Sequence, residues 1–98
     1  MPAYIIARVD ITDREQYRHY LKAAPVIIEH YGGKVIARSE DLVTLEGPRE
    51  IQRIIILQFP SVARAQEFYQ SPEYQGARIL REGAATGELV VVDGLTPE

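Results

Sequence analysis

The stretch QFPSVARAQEFYQSPEYQGARILREG, from Gln58 to Gly83, decides the fold of this chain. It holds four of the eight aromatic residues, and two prolines divide it. Pro60 ends an apolar run, and Ser61 can cap the helix that follows because its hydroxyl can accept from a free backbone N–H. The pair Ser71-Pro72 starts a second helix, since proline costs nothing at the first helical position. The stretch therefore predicts the end of a strand and two short helices, the second reaching about Glu82.

Other runs have the composition of strands. Arg53 to Phe59 is apolar at nearly every position, which is typical of a strand buried on both faces. Ala3 to Asp10 and Gly87 to Gly94 are rich in β-branched residues. Lys34 to Ser39 and Leu42 to Gly47 are two shorter strand-like runs. The acidic pair between them indicates either a bulge or a tight turn within one bent strand.

The segment after the first strand predicts a helix. Thr12 and Glu15 have the spacing of a capping box, so we expect the helix to begin at Asp13. Pro25 predicts a kink or a break into two helical pieces, because proline removes a backbone donor and clashes with the preceding turn. Gly32-Gly33 predicts the end of the helix, since glycine adopts the left-handed cap conformation readily.

These elements follow the order β-α-β-β-α-β within a single domain, residues 1–98, which is the ferredoxin-like pattern of the α+β class. It predicts one four-stranded antiparallel sheet with the helices on one face. Residues of both parities are apolar in the first, third and last strands, so the second face would be apolar and uncovered. Soluble monomers rarely expose so large an apolar patch. We therefore expect a homodimer in which the two sheets pack face to face, as a dimeric α/β barrel.

The composition argues against several classes of function. The 11 basic and 14 acidic residues form no basic stripe, which disfavours a nucleic-acid partner. The chain has no Cys and no H-x-H or H-E-x-x-H motif, so we expect no thiolate chemistry, no metal site and no cofactor. The N-terminal apolar run is too short for a signal peptide, and no segment is long enough to span a membrane. A cytoplasmic location is expected.

Several of these residues together are similar to a known family. The motif elements are FPS at Phe59 to Ser61, FYQSPEYQ at Phe68 to Gln75, YGG at Tyr31 to Gly33 and LEG at Leu45 to Gly47. With them, the chain resembles the thirteen-thirty family of domains of unknown function, within the dimeric α/β-barrel superfamily. The resemblance implies a homodimer of ferredoxin-like subunits. It implies no established reaction, although the superfamily includes small monooxygenases and isomerases.

Arg38 is the first candidate for a binding residue. It has the strand parity of Ile36, which predicts that both side chains project toward the same buried side. A guanidinium near a core needs an anionic partner. That partner is either a ligand or an internal carboxylate, with Glu46, Asp10 and Glu73 as the candidates.

Four tyrosines, Tyr17, Tyr20, Tyr69 and Tyr74, form the second group, and Tyr17, Tyr20 and Tyr74 are the candidate ligand contacts among them. Helical spacing favours core packing for them, and a buried tyrosine hydroxyl needs a partner. Beside Arg38, they would give a cavity between the helices and the sheet apolar walls and a few polar points. We expect this cavity to bind a small ligand.

Arg81 and His30 complete the candidate site. Arg81 is expected at the rim of the cavity, as a ligand contact or in an ion pair with Glu73 or Glu82. His30 is a candidate catalytic base in the same cavity, because histidine titrates near neutral pH. The other histidine, His19, is expected to face solvent.

Three functions remain open from the sequence. The first is a small-molecule-binding protein, or a cofactor-independent monooxygenase-like or isomerase-like enzyme, that acts on a small anionic or aromatic metabolite. The second is a structural or regulatory homodimer without catalysis. The third is a haem-handling protein.

Overall fold

A computed structural model describes residues 2–95 of the chain. The elements follow the predicted order, with the second helical segment divided into α2 and α3 at Ser71. They are β1 (Ala3–Ile11), α1 (Arg14–His30), β2 (Lys34–Ser39), β3 (Arg53–Phe59), α2 (Val62–Gln70), α3 (Pro72–Ile79) and β4 (Ala85–Asp93). The four strands form one antiparallel sheet in the order β2-β3-β1-β4. The predicted ferredoxin-like α+β fold is confirmed.

Helix α1 begins one residue later than the capping box predicted. Asp13 is the N-cap, and its carboxylate accepts from the Gln16 backbone N–H at 3.1 Å. Thr12 is not available for this role, because its backbone N–H and its hydroxyl both donate to the carbonyl oxygen of Ala84. The predicted cap at Thr12 is therefore wrong, and a contact with a distant turn is the reason.

Helix α1 is continuous through Pro25, so the predicted break into two pieces is absent. Pro25 is exposed, and 11 helical residues precede it, counted from the start at Arg14. The helix ends as predicted, with Tyr31 at the C-cap and Gly32 at a φ of +83°. Only glycine adopts this conformation at little cost.

The second strand-like run, Leu42 to Gly47, is not a strand. The chain leaves the sheet after Ser39, where the Asp41 backbone N–H donates to the Ser39 hydroxyl at 2.9 Å. It returns only at Arg53, and Val43 and Leu45 between them are exposed. The bulge that the sequence allowed near the acidic pair instead lies within β2, between Val35 and Ala37.

The core lies between the helices and one face of the sheet. Alternate residues of β1 are buried on that face: Ala3, Ile5, Ala7 and Val9. Phe59, Phe68 and Tyr74 pack ring against ring above them, with successive centroids 5.0 and 4.6 Å apart. The aromatic residues of the opening stretch are concentrated there because strand β3 and helices α2 and α3 meet at this point.

The opposite face of the sheet has no helix over it in the described part of the chain. It presents the other residues of the same strands, and the row Ala37, Ile56, Ile6 and Val90 crosses all four of them. Val90 and Val92 are 61% and 46% exposed. This apolar surface, called the outer face below, is the one that the sequence predicted to be uncovered.

Candidate functional site

A small cavity lies between α1, α3 and the helix-facing side of the sheet. Its volume is about 60 Å³, and its lining is mostly apolar. One row of paired strand residues crosses its floor: Arg38 on β2, Ile55 on β3, Ala7 on β1 and Leu89 on β4. The short side chain of Ala7 at the middle of this row helps to leave the space open.

The bulge in β2 places Arg38 at this cavity. Val35 pairs with Leu57 and Arg38 pairs with Ile55, so both lie on the helix-facing side although they are three positions apart. In a regular strand, residues three apart face opposite sides, and one extra residue restores the same side. The prediction that Arg38 and Ile36 face the same side is therefore wrong, because Ile36 is the extra residue of the bulge. Arg38 lines the cavity through the bulge.

Arg38 has no carboxylate within 4.0 Å among residues 2–95, although other arginines do. Arg8 pairs with Glu50 at 2.7 Å and Arg14 with Glu40 at 2.6 Å. The internal partners considered from the sequence are therefore not in contact with Arg38. Arg38 is itself an exposed residue, as are Pro25 and Val35, and all three line the cavity. We call the side of the cavity where these three residues reach solvent the mouth.

The inner wall carries a pair of hydrogen-bonded tyrosines. The hydroxyl oxygens of Tyr20 and Tyr74 lie 2.8 Å apart, and their rings meet edge to face. Burial raises the pKa of Tyr20 far above its ordinary value, and the neighbouring Tyr74 hydroxyl adds to the effect. Tyr20 is therefore uncharged at neutral pH. It can offer a hydrogen bond but cannot act as a tyrosinate base.

Arg81 also lines the cavity, as predicted, but its predicted ion pairs are absent. Neither Glu73 nor Glu82 lies within 4.0 Å of it. Glu73 instead accepts from the Tyr31 hydroxyl at 2.7 Å. The Arg81 guanidinium lies over the Tyr20 ring, 5.4 Å from its centroid, which is a cation–π contact.

Tyr17 completes the aromatic lining. It is 2% exposed, its ring lies 5.4 Å from that of Tyr20, and its hydroxyl has no hydrogen-bond partner in the described residues. The structure thus brings Arg38, Tyr17, Tyr20, Tyr74 and Arg81 together around one cavity.

His30 does not join them. It is exposed at the end of α1, and its ring packs edge-on against that of Tyr31 at 5.1 Å. It is not among the residues that line the cavity, because the helix turns it away from the sheet. His19 is exposed as well.

Phe68 and Arg53 are two residues of this region that sequence reasoning did not place at the site. Phe68 forms part of the wall, and Arg53, which pairs with the lining residue Val9, has its side chain 15% exposed. Both are in runs that the sequence assigned to packing. Their positions depend on how distant elements meet, and no local pattern marks them.

A second, more open cleft of about 290 Å³ lies between α2 and β4. Gln66, Tyr69 and Gln70 form its helical side, and Val90 and Val91 form its strand side. None of the residues predicted to bind a ligand lines it.

Comparison with known proteins places the chain in a family. The sequence model of DUF1330, described as a domain of unknown function, matches residues 2–95. The chain belongs to the DUF1330 family. This confirms the resemblance drawn from the FPS and FYQSPEYQ motifs. No protein with a curated function matches the chain.

Solved structures similar to this DUF1330 protein share its fold. A protein of unknown function from Rhodopseudomonas palustris is 24% identical, with a TM-score of 0.75 over 98% of this chain and 84% of that one. SnoaB from Streptomyces nogalater, a cofactor-independent oxygenase, is 7% identical, with a TM-score of 0.68 over 98% and 95% of the two chains. A putative antibiotic biosynthesis monooxygenase from Nitrosomonas europaea is 11% identical, with a TM-score of 0.57 over 97% and 92%. The fold is that of the dimeric α/β barrels.

Across residues 2–95, no three His, Cys, Asp or Glu side chains lie close enough together to hold a metal ion. No helix in that range is both long and apolar enough to cross a membrane.

Proposed function

We propose that this DUF1330 protein is a homodimer whose subunits each bind a small aromatic or enolic acid in the cavity between α1, α3 and the sheet. The observation that supports this most directly is the position of Arg38. It is a strand-borne guanidinium without a carboxylate partner in the described residues, and it stands at the mouth of a mostly apolar cavity. A planar guanidinium fork on a rigid strand suits bidentate binding of a carboxylate.

The walls favour a flat ligand. Tyr20, Phe68 and Tyr74 present rings around the space, and aromatic rings attract one another in offset or edge-to-face arrangements. The enclosed volume of about 60 Å³ corresponds to roughly two water molecules. A ligand with one ring would therefore place its inner half in this volume and its carboxylate at the open mouth, beside Arg38.

The catalytic part of the proposal is a cofactor-independent reaction, of the oxygenase or isomerase type, on such an acid. The cavity offers uncharged hydroxyl donors and guanidinium groups, which stabilise negative charge that develops on a ligand oxygen. The fold shared with SnoaB shows that this architecture can carry cofactor-independent oxygenation in another protein, and fold alone does not assign function. The haem-handling alternative has less support, because neither histidine lines the cavity.

The homodimer is inferred from the outer face. Tyr4, Ile6, Ile54 and Ile56 lie there with Val90 and Val92, and the described part of the chain covers none of it with a helix. Two copies that pack these faces together would bury the patch, and obligate interfaces commonly bury about 2,000 Å² or more. Each cavity lies on the far side of its own sheet, so dimer formation leaves both mouths accessible.

The proposal is tested by melting temperature in the presence of benzoate and of benzamide, its neutral analogue. We expect benzoate at saturation to raise the melting temperature by several degrees, about 4–8 °C for each kcal/mol of binding energy, and benzamide to have little effect. Arg38→Ala should abolish the benzoate effect. Arg49→Ala removes an exposed arginine outside the cavity and should leave it intact.

The alternative function predicts a different outcome. If the protein is a structural or regulatory homodimer without a ligand, benzoate should stabilise neither the wild type nor Arg38→Ala. Oxygen uptake with enolisable or phenolic acids then separates an oxygenase from a protein that only binds its ligand.

A further inference from the structure

The inner end of the cavity contains a hydroxyl group that the fold leaves without a partner. Tyr17 lies almost completely inside the protein, lines the cavity, and its phenolic oxygen makes no hydrogen bond within residues 2–95. Buried polar groups are nearly always hydrogen-bonded, and exceptions often mark a functional site. An acceptor supplied from the cavity would satisfy this donor.

Two arginines lie in the same region. Arg81 lines the cavity, and Arg53 pairs on the sheet with Val9, which also lines it. Burial raises the pKa of Tyr17, and these two guanidinium groups partly oppose the rise. Arg53 is held loosely by Glu40, at 3.9 Å, and its Nε is also buried without a hydrogen-bond partner. The inner end thus holds a hydroxyl donor in the region of two guanidinium groups, one of which also faces the Glu40 carboxylate.

The Arg81 side chain lies over β4 at Gly87, where the strand has no side chain. A Cβ atom at Gly87 would lie 3.7 Å from the Arg81 Nη1 atom, so the guanidinium rests over bare backbone of β4. Arg38 lies on β2, at the other edge of the sheet, with β3 and β1 between them. Adjacent strands are about 4.8 Å apart, so about 14 Å separates the backbones of β2 and β4, and both arginine side chains line the cavity between them.

We propose that Tyr17 and Arg81 form an oxyanion subsite, which binds the phenolate or enolate oxygen of an acid whose carboxylate lies at Arg38. The inference rests on the proposed function, because it presumes that the cavity holds the acid. It adds the class of ligand: a planar acid with a second acidic oxygen at the far end from its carboxylate, for which 4-hydroxybenzoate is the simplest probe.

The experiment compares 4-hydroxybenzoate with benzoate, which lacks only the second oxygen. Calorimetric titration should give an affinity for 4-hydroxybenzoate about tenfold higher, the factor that one well-formed hydrogen bond to a charged or polar oxygen supports. Tyr17→Phe should remove this preference, so that the two ligands bind with equal affinity. Tyr69→Phe, which removes a hydroxyl outside the cavity, should change neither affinity.

A spectroscopic signature distinguishes an oxyanion subsite from simple packing. Binding should lower the pKa of the ligand's phenol, because Arg81 and the Tyr17 hydroxyl favour the phenolate. The absorbance of bound 4-hydroxybenzoate should therefore shift toward that of the phenolate at a pH where the free ligand is still protonated. Arg81→Gln should reverse this shift even if the variant still binds.

The outcomes separate the two levels of the proposal. If benzoate and 4-hydroxybenzoate bind equally and Tyr17→Phe changes neither, the subsite is wrong and the cavity function stands. If the wild-type protein binds neither probe, the cavity function is wrong and the subsite falls with it. If Arg38→Ala binds both ligands more weakly but still prefers 4-hydroxybenzoate to benzoate, the cavity function and the oxyanion subsite are both supported.

Discussion

The phenolic oxygens of Tyr20 and Tyr74 lie 2.8 Å apart, although 54 residues separate them in the chain. One residue comes from α1 and the other from α3, so this hydrogen bond joins the two helices over the sheet. It also fixes the edge-to-face geometry of the two rings at the inner wall of the cavity. The site and the packing of the helices therefore depend on the same contact.

Removal of either end of this contact should cost stability, whereas removal of the nearby Tyr17 hydroxyl should not. Tyr74→Phe leaves the Tyr20 hydroxyl without its partner, and we expect the free energy of unfolding to fall by about 1 kcal/mol. Tyr17→Phe removes a hydroxyl that has no partner, so the change should stay within about 0.5 kcal/mol. Urea unfolding of both variants checks this. An equal loss in the two would mean that Tyr17 has a structural partner.

Ile55 and Ile56 should respond in opposite ways to the same substitution. Ile56 lies on the outer face, paired with Ile6, while Ile55 packs against the helix-facing core. Ile56→Asp should give a folded monomer by light scattering and circular dichroism. Ile55→Asp should lower the free energy of unfolding by about 3 kcal/mol or more, because it buries a carboxylate in the core. An Ile56→Asp protein that remains dimeric would contradict the outer-face interface.

Alkaline pH should weaken the fold through Tyr20. Burial raises the folded-state pKa of Tyr20 above the unfolded value of about 10. The folded chain therefore keeps this proton at a pH where the unfolded chain has released it. The stabilisation is complete below about pH 10 and is lost as the pH rises, at about 1.4 kcal/mol per pH unit for the group.

The measurement is chemical unfolding between pH 9 and about pH 11.5, over which the loss should be shallower in Tyr20→Phe than in the wild type. A pH dependence identical in the two proteins would show that Tyr20 does not make this contribution.

Gly33 is required at its position by close packing and not by its backbone angle. A Cβ atom there would lie 2.6 Å from the Cε1 and Cζ atoms of Phe59 and 3.0 Å from Ile28. Gly33→Ala should therefore lower the free energy of unfolding by about 1–3 kcal/mol. Gly76→Ala is the matched control: nothing lies within 4 Å of its Cβ in α3, and it should raise stability by about 0.5–1 kcal/mol. Thermal unfolding of both decides the matter, and a neutral Gly33→Ala would contradict the packing.

The elements with strong local signals were predictable from the sequence. Ser71 caps α3 as expected, accepting from the Tyr74 backbone N–H at 3.1 Å, and Ser61 caps α2 in the same way. A cap depends only on residues within one turn, so the sequence contains the whole interaction. The alternating pattern of β1 likewise identified the two faces of the sheet.

Features that depend on distant contacts were not predictable. Thr12 and Asp13 can both cap a helix, and only the carbonyl of Ala84 decides between them. The bulge in β2 reverses the parity of the strand at Ile36, which no local pattern indicates. Arg38 was selected on a parity that proved wrong, and it lines the cavity because of this irregularity.

The sequence indicated most of the residues that line the cavity, but fewer of the contacts that they make. Tyr17, Tyr20 and Tyr74 were identified by helical spacing, which places them on the faces that meet the sheet. The orientation of His30 and the partners of Arg81 depend on how the ends of α1 and α3 pack, so sequence alone does not give them.

The most direct test of the central claim is a crystal structure of the protein with benzoate at saturation. We expect one benzoate in each cavity, with its ring against Tyr20 and Tyr74 and its carboxylate bound by Arg38 through two hydrogen bonds of about 2.7–2.9 Å. A cavity that stays empty would contradict the proposed function. So would benzoate in the cleft between α2 and β4, or an Arg38 guanidinium paired with a carboxylate of the protein itself.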